Sequence, residues 1–120
     1  MRVLLTGGTG TITRAVVARI LADGHDLTVM NRGHREPMPG GVRHLVADAH
    51  DADAVRAALG DAEFDAAVQF VAFKPEDVER DLAVLSGRVG QYVLISSAST
   101  YLKPLPHVVV TEDSPQGNPY

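Results

Sequence analysis

The chain contains no cysteine, so disulfides and thiolate chemistry are closed to it, and a reducing cytosol is compatible with its composition. No apolar stretch is long enough to span a bilayer, and the N-terminus runs straight into a strand-like segment. Neither a membrane contact nor a signal peptide is therefore expected, and a cytoplasmic location is. Positive charge is not in excess: 11 Lys+Arg stand against 15 Asp+Glu, and the net charge of -4 speaks against a general nucleic-acid surface. Lysine is scarce, with only Lys74 and Lys103. His25, His34, His44, His50 and His107 show no metal-ligand spacing, so no metal is expected and these residues read as surface or loop positions. Internal repeats and low-complexity tracts are also missing. What is present is 120 residues with 45% hydrophobic and 22% charged content, an ordinary composition for one globular domain with a real core.

The most informative segment is Val3-Leu4-Leu5-Thr6-Gly7-Gly8-Thr9-Gly10-Thr11-Ile12-Thr13. It reads as an apolar strand, a glycine-rich turn and the start of a helix. A dinucleotide site needs that order: glycines let the backbone approach a pyrophosphate, and the helix aims its free N–H groups and positive dipole end at the phosphates. The spacing is Gly7-x-x-Gly10-x-x-Thr13, a departure from G-x-G-x-x-G. The helix continues from Arg14 to Ala22, with Ala15, Val16, Ile20 and Leu21 able to share a face. Gly24 is placed to terminate it, and Leu27 to Met30 reads as a second strand, completing a β-α-β unit.

Val42 to Ala47 reads as a third strand ending at Asp48, after a loop containing Pro37, Pro39, Gly40 and Gly41. Asp51 can cap a helix holding Val55, Ala58 and Leu59, which Gly60 ends. Ala66 to Val71 reads as a buried fourth strand. Pro75 suits the first turn of a helix whose apolar stripe is Val78, Leu82 and Leu85, with the acids from Glu76 to Asp81 on a solvated face. Gln91 to Ile95 is a fifth strand. From Lys103 to Tyr120 the pattern is loop with a short extended piece. Strands alternating with helices predict a Rossmann-type three-layer α/β/α sandwich on a parallel sheet of about five strands, in the order 3-2-1-4-5.

Four places at the C-terminal edge of that sheet carry candidate chemistry. Arg32 follows the second strand, where an NAD enzyme usually has an acid for the ribose 2′-hydroxyl; with neutral Asn31 before it, an arginine suits a 2′-phosphate, and Arg35 is a second candidate. The alternative is a solvated surface arginine. Asp48 can accept from an adenine amino group or cap the next helix, a role for which Asp51 competes. Val71-Ala72-Phe73-Lys74 leaves small residues beside a ribose and a lysine within reach of a ribose or phosphate, or an exposed lysine before a helix. Ser96 to Tyr101 offers hydroxyls that can bond a substrate carbonyl, or serve only as turn residues.

Taken in order, Thr6 to Ile12, Asp48, Phe70 to Lys74 and Tyr92 to Tyr101 resemble landmarks of the extended short-chain dehydrogenase/reductases, the sugar-nucleotide epimerase and dehydratase group. Thr111-Glu112-Asp113-Ser114-Pro115 with Asn118-Pro119-Tyr120 resembles the segment before that family's catalytic helix. The resemblance implies that Gly7, Gly10, Thr11 and Ile12 contact cofactor phosphates, that Asn31 and Arg32 select the adenosine ribose and Asp48 the adenine, and that Phe70, Val71, Ala72 and Lys74 line the middle of the site. Ser97 matches the active-site serine, and Tyr120 is the catalytic tyrosine or precedes it by a few residues.

It implies a nicotinamide cofactor, for which Arg32 points to NADP with NAD as the alternative, a nucleotide-sugar or carbonyl substrate and a homodimer. Residues 1–120 would be an incomplete NAD(P)-binding domain without its C-terminal strands and substrate lobe, inactive alone. Two departures are Thr13 in place of the third glycine and Gln69 where many members have histidine; the lysine that the family pairs with its catalytic tyrosine is absent from this sequence. The competing function is a non-catalytic NADP-binding sensor on the same fold.

Overall fold

The computed structural model describes residues 1–7, 9–33, 38–104 and 108–119. Arg35 and Tyr120 lie outside these residues. The elements run β1 (Arg2–Thr6), α1 (Thr11–Ala22), β2 (Asp26–Asn31), β3 (Val42–Val46), α2 (Ala52–Leu59), β4 (Phe64–Gln69), α3 (Pro75–Leu85) and β5 (Val89–Leu94), followed by a 3-10 turn at Ala98–Thr100. All five strands are parallel in the order β3-β2-β1-β4-β5, the expected topology. None of the described helices is long and apolar enough to cross a membrane.

The strand alternation sorts side chains onto two faces. Val3, Leu5, Leu27 and Val29 pack with Val17 of α1, while Leu4, Met30 and Ala67 pack with Val55 and Leu59 of α2 and with Val84 and Leu85 of α3. Leu5 and Val29 are fully buried, because the central strands are covered on both sides. The edge strands β3 and β5 keep several side chains exposed.

Local chemistry accounts for the helix boundaries. Asp51 caps α2, its Oδ1 accepting from the N–H groups of Asp53 and Ala54, and Gly60 ends the helix with φ +53°. After α1, Asp23 is the last capping residue and Gly24 takes φ +74°, the left-handed conformation that glycine adopts without a Cβ penalty.

Two helix faces differ from expectation. In α1 the buried residues are Thr13 and Val17, flanked by Val16, Ile20 and Leu21, whereas Ala15 is exposed. In α3 the acids are not all solvated: Asp77 and Asp81 are buried with Val84 and Leu85, and Leu82 is exposed. The α3 face is rotated because both carboxylates find partners there: Gln69 of β4 and Tyr92 of β5 donate to Asp81, and the Phe73 and Lys74 amides with Arg80 donate to Asp77. The fourth strand runs Phe64–Gln69, so Phe70 and Val71 have already left it, and the fifth begins at Val89. The C-terminal segment folds back on the chain after β5: Tyr101 pairs antiparallel with Gln116, Leu102 N–H donates to Pro115 O at 2.8 Å, and Asn118 Nδ2 donates to Ser99 O at 2.8 Å.

Candidate functional site

A groove of about 560 Å³ opens at the C-terminal edge of β1, β2, β3 and β4. The β1–α1 loop contributes Gly7, Thr9, Gly10, Thr11 and Ile12; Asn31 and Arg32 come from the end of β2; Asp48, Ala49 and His50 follow β3; Phe70, Val71 and Phe73 follow β4. A crevice at this edge, where the chain crosses from one face of the sheet to the other, is where open α/β sheets bind ligands.

Its floor is built by the glycine loop. Gly7 has φ +111°, and its N–H donates to Met30 O at 2.8 Å, which pins the turn to β2. A Cβ at Gly7 would lie 3.4 Å from Val71 Cγ1, so the β4–α3 loop approaches this backbone closely. Gly10 begins α1 without any side-chain cap, and the first turn of α1 has no acid. The other two helices are treated differently: Asp51 caps α2, and Asp77 Oδ2 accepts from the N–H groups of Phe73 and Lys74 at the start of α3. The helix that faces the groove thus leaves its first amides and dipole to an outside anion, the arrangement a pyrophosphate requires. Thr13, the departure from the third glycine, is accommodated: it is buried, and its Oγ1 donates to Gly10 O at 2.9 Å.

Asn31 braces the wall. Its Nδ2 donates to Gly7 O at 3.1 Å, while its Oδ1 accepts from Gly33 N–H at 2.8 Å and lies 3.0 Å from His44 Nε2. Its carbonyl oxygen is committed to protein partners, which leaves Arg32 as the exposed polar side chain at this point of the groove. Among the described residues no carboxylate forms an ion pair with Arg32. Asp48 does not cap α2; its Oδ1 accepts from His50 N–H at 3.0 Å in a short turn that holds its carboxylate at the groove.

Two polar clusters sit behind the wall. Asp77 Oδ1 accepts from Arg80 and lies 3.0 Å from His50 Nδ1, while its Oδ2 holds the Phe73 and Lys74 amides. The Phe73 amide above all, with Arg80, His50 and Lys74, outweighs burial and holds the Asp77 carboxyl well below the usual carboxylate range. One turn further along α3, Asp81 Oδ2 accepts from Gln69 Nε2 at 2.6 Å and from Tyr92 OH at 2.7 Å, and Gln69 Oε1 accepts from Val71 N–H at 2.9 Å. Burial, and then the bond to Asp81, push the Tyr92 phenol above its ordinary value.

The structure brings Gly7, Gly10, Thr11, Ile12, Asn31, Arg32, Asp48, Phe70 and Val71 together around one groove. Ala72 and Lys74 sit beside it but do not line it. Ser97 lies on the segment after β5, outside the lining, where its Oγ accepts from Ser99 N–H at 3.1 Å. His50, read from the sequence as a surface or loop histidine, lines the groove, and so does Phe73, which stands in the Val71-Ala72-Phe73-Lys74 segment without a role of its own assigned there. The available signal was their position: each lies within five residues of the C-terminal end of a parallel strand.

Comparison with known proteins follows the same outline. The UDP-glucose 4-epimerase of Corynebacterium glutamicum is 31% identical over 96% of this chain and 40% of its own length. That of Lactobacillus helveticus is 31% identical over 100% of this chain and 43% of its own. A solved structure of a short-chain dehydrogenase/reductase superfamily protein from Agrobacterium tumefaciens, with bound NAD, superposes with a TM-score of 0.68 at 25% identity, covering 98% of this chain and 39% of that one. The chain spans about two fifths of the length of the curated relatives it matches. Residues 3–120 match the description NAD dependent epimerase/dehydratase family, and the chain belongs to that family.

Proposed function

We propose that this chain is the dinucleotide-binding portion of an NADP-using epimerase, dehydratase or reductase acting on a nucleotide-sugar or carbonyl substrate. The observation that carries the reading is the uncapped N-terminus of α1, opening with Gly7 and Gly10 onto a groove of dinucleotide size. When bound there, the nicotinamide supplies the site that accepts and returns a hydride. The chain's own residues do the holding. The amides at Gly10, Thr11 and Ile12 receive the pyrophosphate, Asp48 accepts from the adenine amino group, and Phe70, Val71 and Ala72 flank the middle, with Lys74 beside them.

Arg32 favours a 2′-phosphate, because it is exposed at the groove and the neighbouring Asn31 oxygen is already occupied. Ser97 bonds the substrate's reacting oxygen, and Tyr120 belongs to the proton-donating segment. The relatives' names support a uridine-diphosphate sugar as the substrate class.

Titration calorimetry with NADP+ and NAD+ tests the cofactor assignment. Arg32→Glu is expected to weaken NADP+ by about tenfold or more, through loss of one charge-assisted pair and gain of one repulsion, while NAD+ changes little. Equal affinities for both cofactors before and after the substitution would refute the 2′-phosphate role.

A further inference from the structure

Phe73 is 79% exposed although it lines the groove. A single exposed phenyl means little by itself; its anchorage gives it meaning. Its backbone N–H donates to Asp77 Oδ2 at 3.0 Å, and the other oxygen of that carboxylate lies 3.0 Å from His50 Nδ1. Arg80 donates to the same Oδ1 with both terminal nitrogens, at 3.1 and 3.0 Å, and reaches Ala49 O at 3.5 Å. One buried carboxylate on α3 therefore fastens the loop after β3 to the loop after β4, with a ring on each loop facing the groove. The other groove phenyl, Phe70, is packed against the core on the α1 side of the sheet. Among the described residues Phe73 is the groove phenyl left mostly exposed, on a backbone whose N–H is tied to Asp77.

We propose that Phe73 is the stacking surface for the purine of the bound dinucleotide, and that Asp77 is the positioning residue that sets Phe73 opposite His50 at the Asp48 end of the groove. The inference rests on the dinucleotide reading above. A phenyl side chain has few rotamers to lose, and stacking on a purine removes two apolar faces from water. Preorganisation by Asp77 lowers the ordering cost that an exposed loop would otherwise impose on binding.

The test is NADP+ affinity, by calorimetry, in a Phe73 series. Phe73→Ala is expected to weaken binding about tenfold, as loss of one base-aromatic stack does. Phe73→Leu should resemble the alanine variant, and Phe73→Tyr should stay near wild type. Because the ring is mostly exposed, the urea midpoints of all three should match wild type. In an Asp77→Asn background the Phe73→Ala effect should shrink, a non-additivity that a merely structural Asp77 would not produce. Wild-type affinity in Phe73→Ala or in Phe73→Leu overturns the stacking role, and strict additivity with Asp77→Asn overturns the positioning role. A wild-type protein that takes up no dinucleotide overturns both this inference and the reading beneath it; normal wild-type binding with an indifferent Phe73 overturns this inference alone.

Discussion

Replacing Gln69 with leucine should cost the fold about 2–4 kcal/mol, a large effect from a substitution that changes volume little. Gln69 is 4% exposed, donates from Nε2 to Asp81 Oδ2 at 2.6 Å and accepts at Oε1 from Val71 N–H at 2.9 Å. Leucine leaves no sizeable cavity, so the packing difference is small and the polar loss dominates. Asp81 keeps Tyr92 OH but loses its second partner; a hydrogen bond to a charged group contributes about 1.5–3 kcal/mol. The half-buried Val71 N–H loses its acceptor, adding about 1 kcal/mol.

At roughly 4 °C per kcal/mol for a domain of this size, the melting temperature should fall by about 8–16 °C. Urea unfolding followed by circular dichroism measures the loss directly, with an unchanged m-value as the sign that only stability has moved. Gln69→His should lose less, because one ring nitrogen can donate while the other accepts. Gln69→Glu sets a second carboxylate against Asp81, and its penalty should shrink as the pH falls through the carboxylate range. A Gln69→Leu protein within about 0.5 kcal/mol of wild type would refute the reasoning and show that the network adds nothing beyond what an apolar side chain supplies.

Three further outcomes are expected. The Asp77 carboxyl lies below its ordinary 3.8, so its contribution is present above 3.8 and lost as pH falls through the lower folded value; the stability gap between wild type and Asp77→Asn in urea titrations should narrow below pH 3.8. The Tyr92 phenol lies above its ordinary 10.0, so its contribution is present below 10.0 and lost as pH rises through the higher folded value; the gap between wild type and Tyr92→Phe should narrow above pH 10.0. Gly7→Ala meets no severe clash, the nearest atom being Val71 Cγ1 at 3.4 Å, but forces a Cβ into φ +111°; a loss of about 1–3 kcal/mol in unfolding free energy is expected from backbone strain.

The architecture was legible because its signals are local. Glycine after β1 and after α1, Asp51 and Gly60 around α2, and Pro75 at the start of α3 each mark a boundary through their own backbone chemistry. The strand order then follows from handedness and from the glycine turn. The face of α3 was not legible, because a stripe traced through apolar residues selects Leu82, which is exposed, and passes over Asp77 and Asp81, which are buried. Their partners are Gln69, Tyr92, His50 and the Phe73 amide, far along the chain or in the backbone, and no periodicity reveals them. The same holds at the groove: the glycine loop, Arg32 and Asp48 stand at readable positions, whereas Phe73 and His50 gain their placement from a carboxylate on another element.

Asp77 and Asp81 are four residues apart, so they share one face of α3, and that face does two jobs. Asp81 joins the helix to β4 and β5 through Gln69 and Tyr92, and Gln69 passes that restraint to the Val71 amide in the groove wall. Asp77 fastens the two loops that flank the groove. Val84 and Leu85, further along the same helix, seat it in the core below the sheet. The groove loops and the core are therefore both tied to the same docked helix. Leu85→Ala, which empties a buried site well away from the groove, should lower stability by about 2–4 kcal/mol. It should also weaken NADP+ binding when measured far below the unfolding midpoint. An unaltered affinity in a clearly destabilised Leu85→Ala protein would show that the groove loops hold their geometry without the helix behind them.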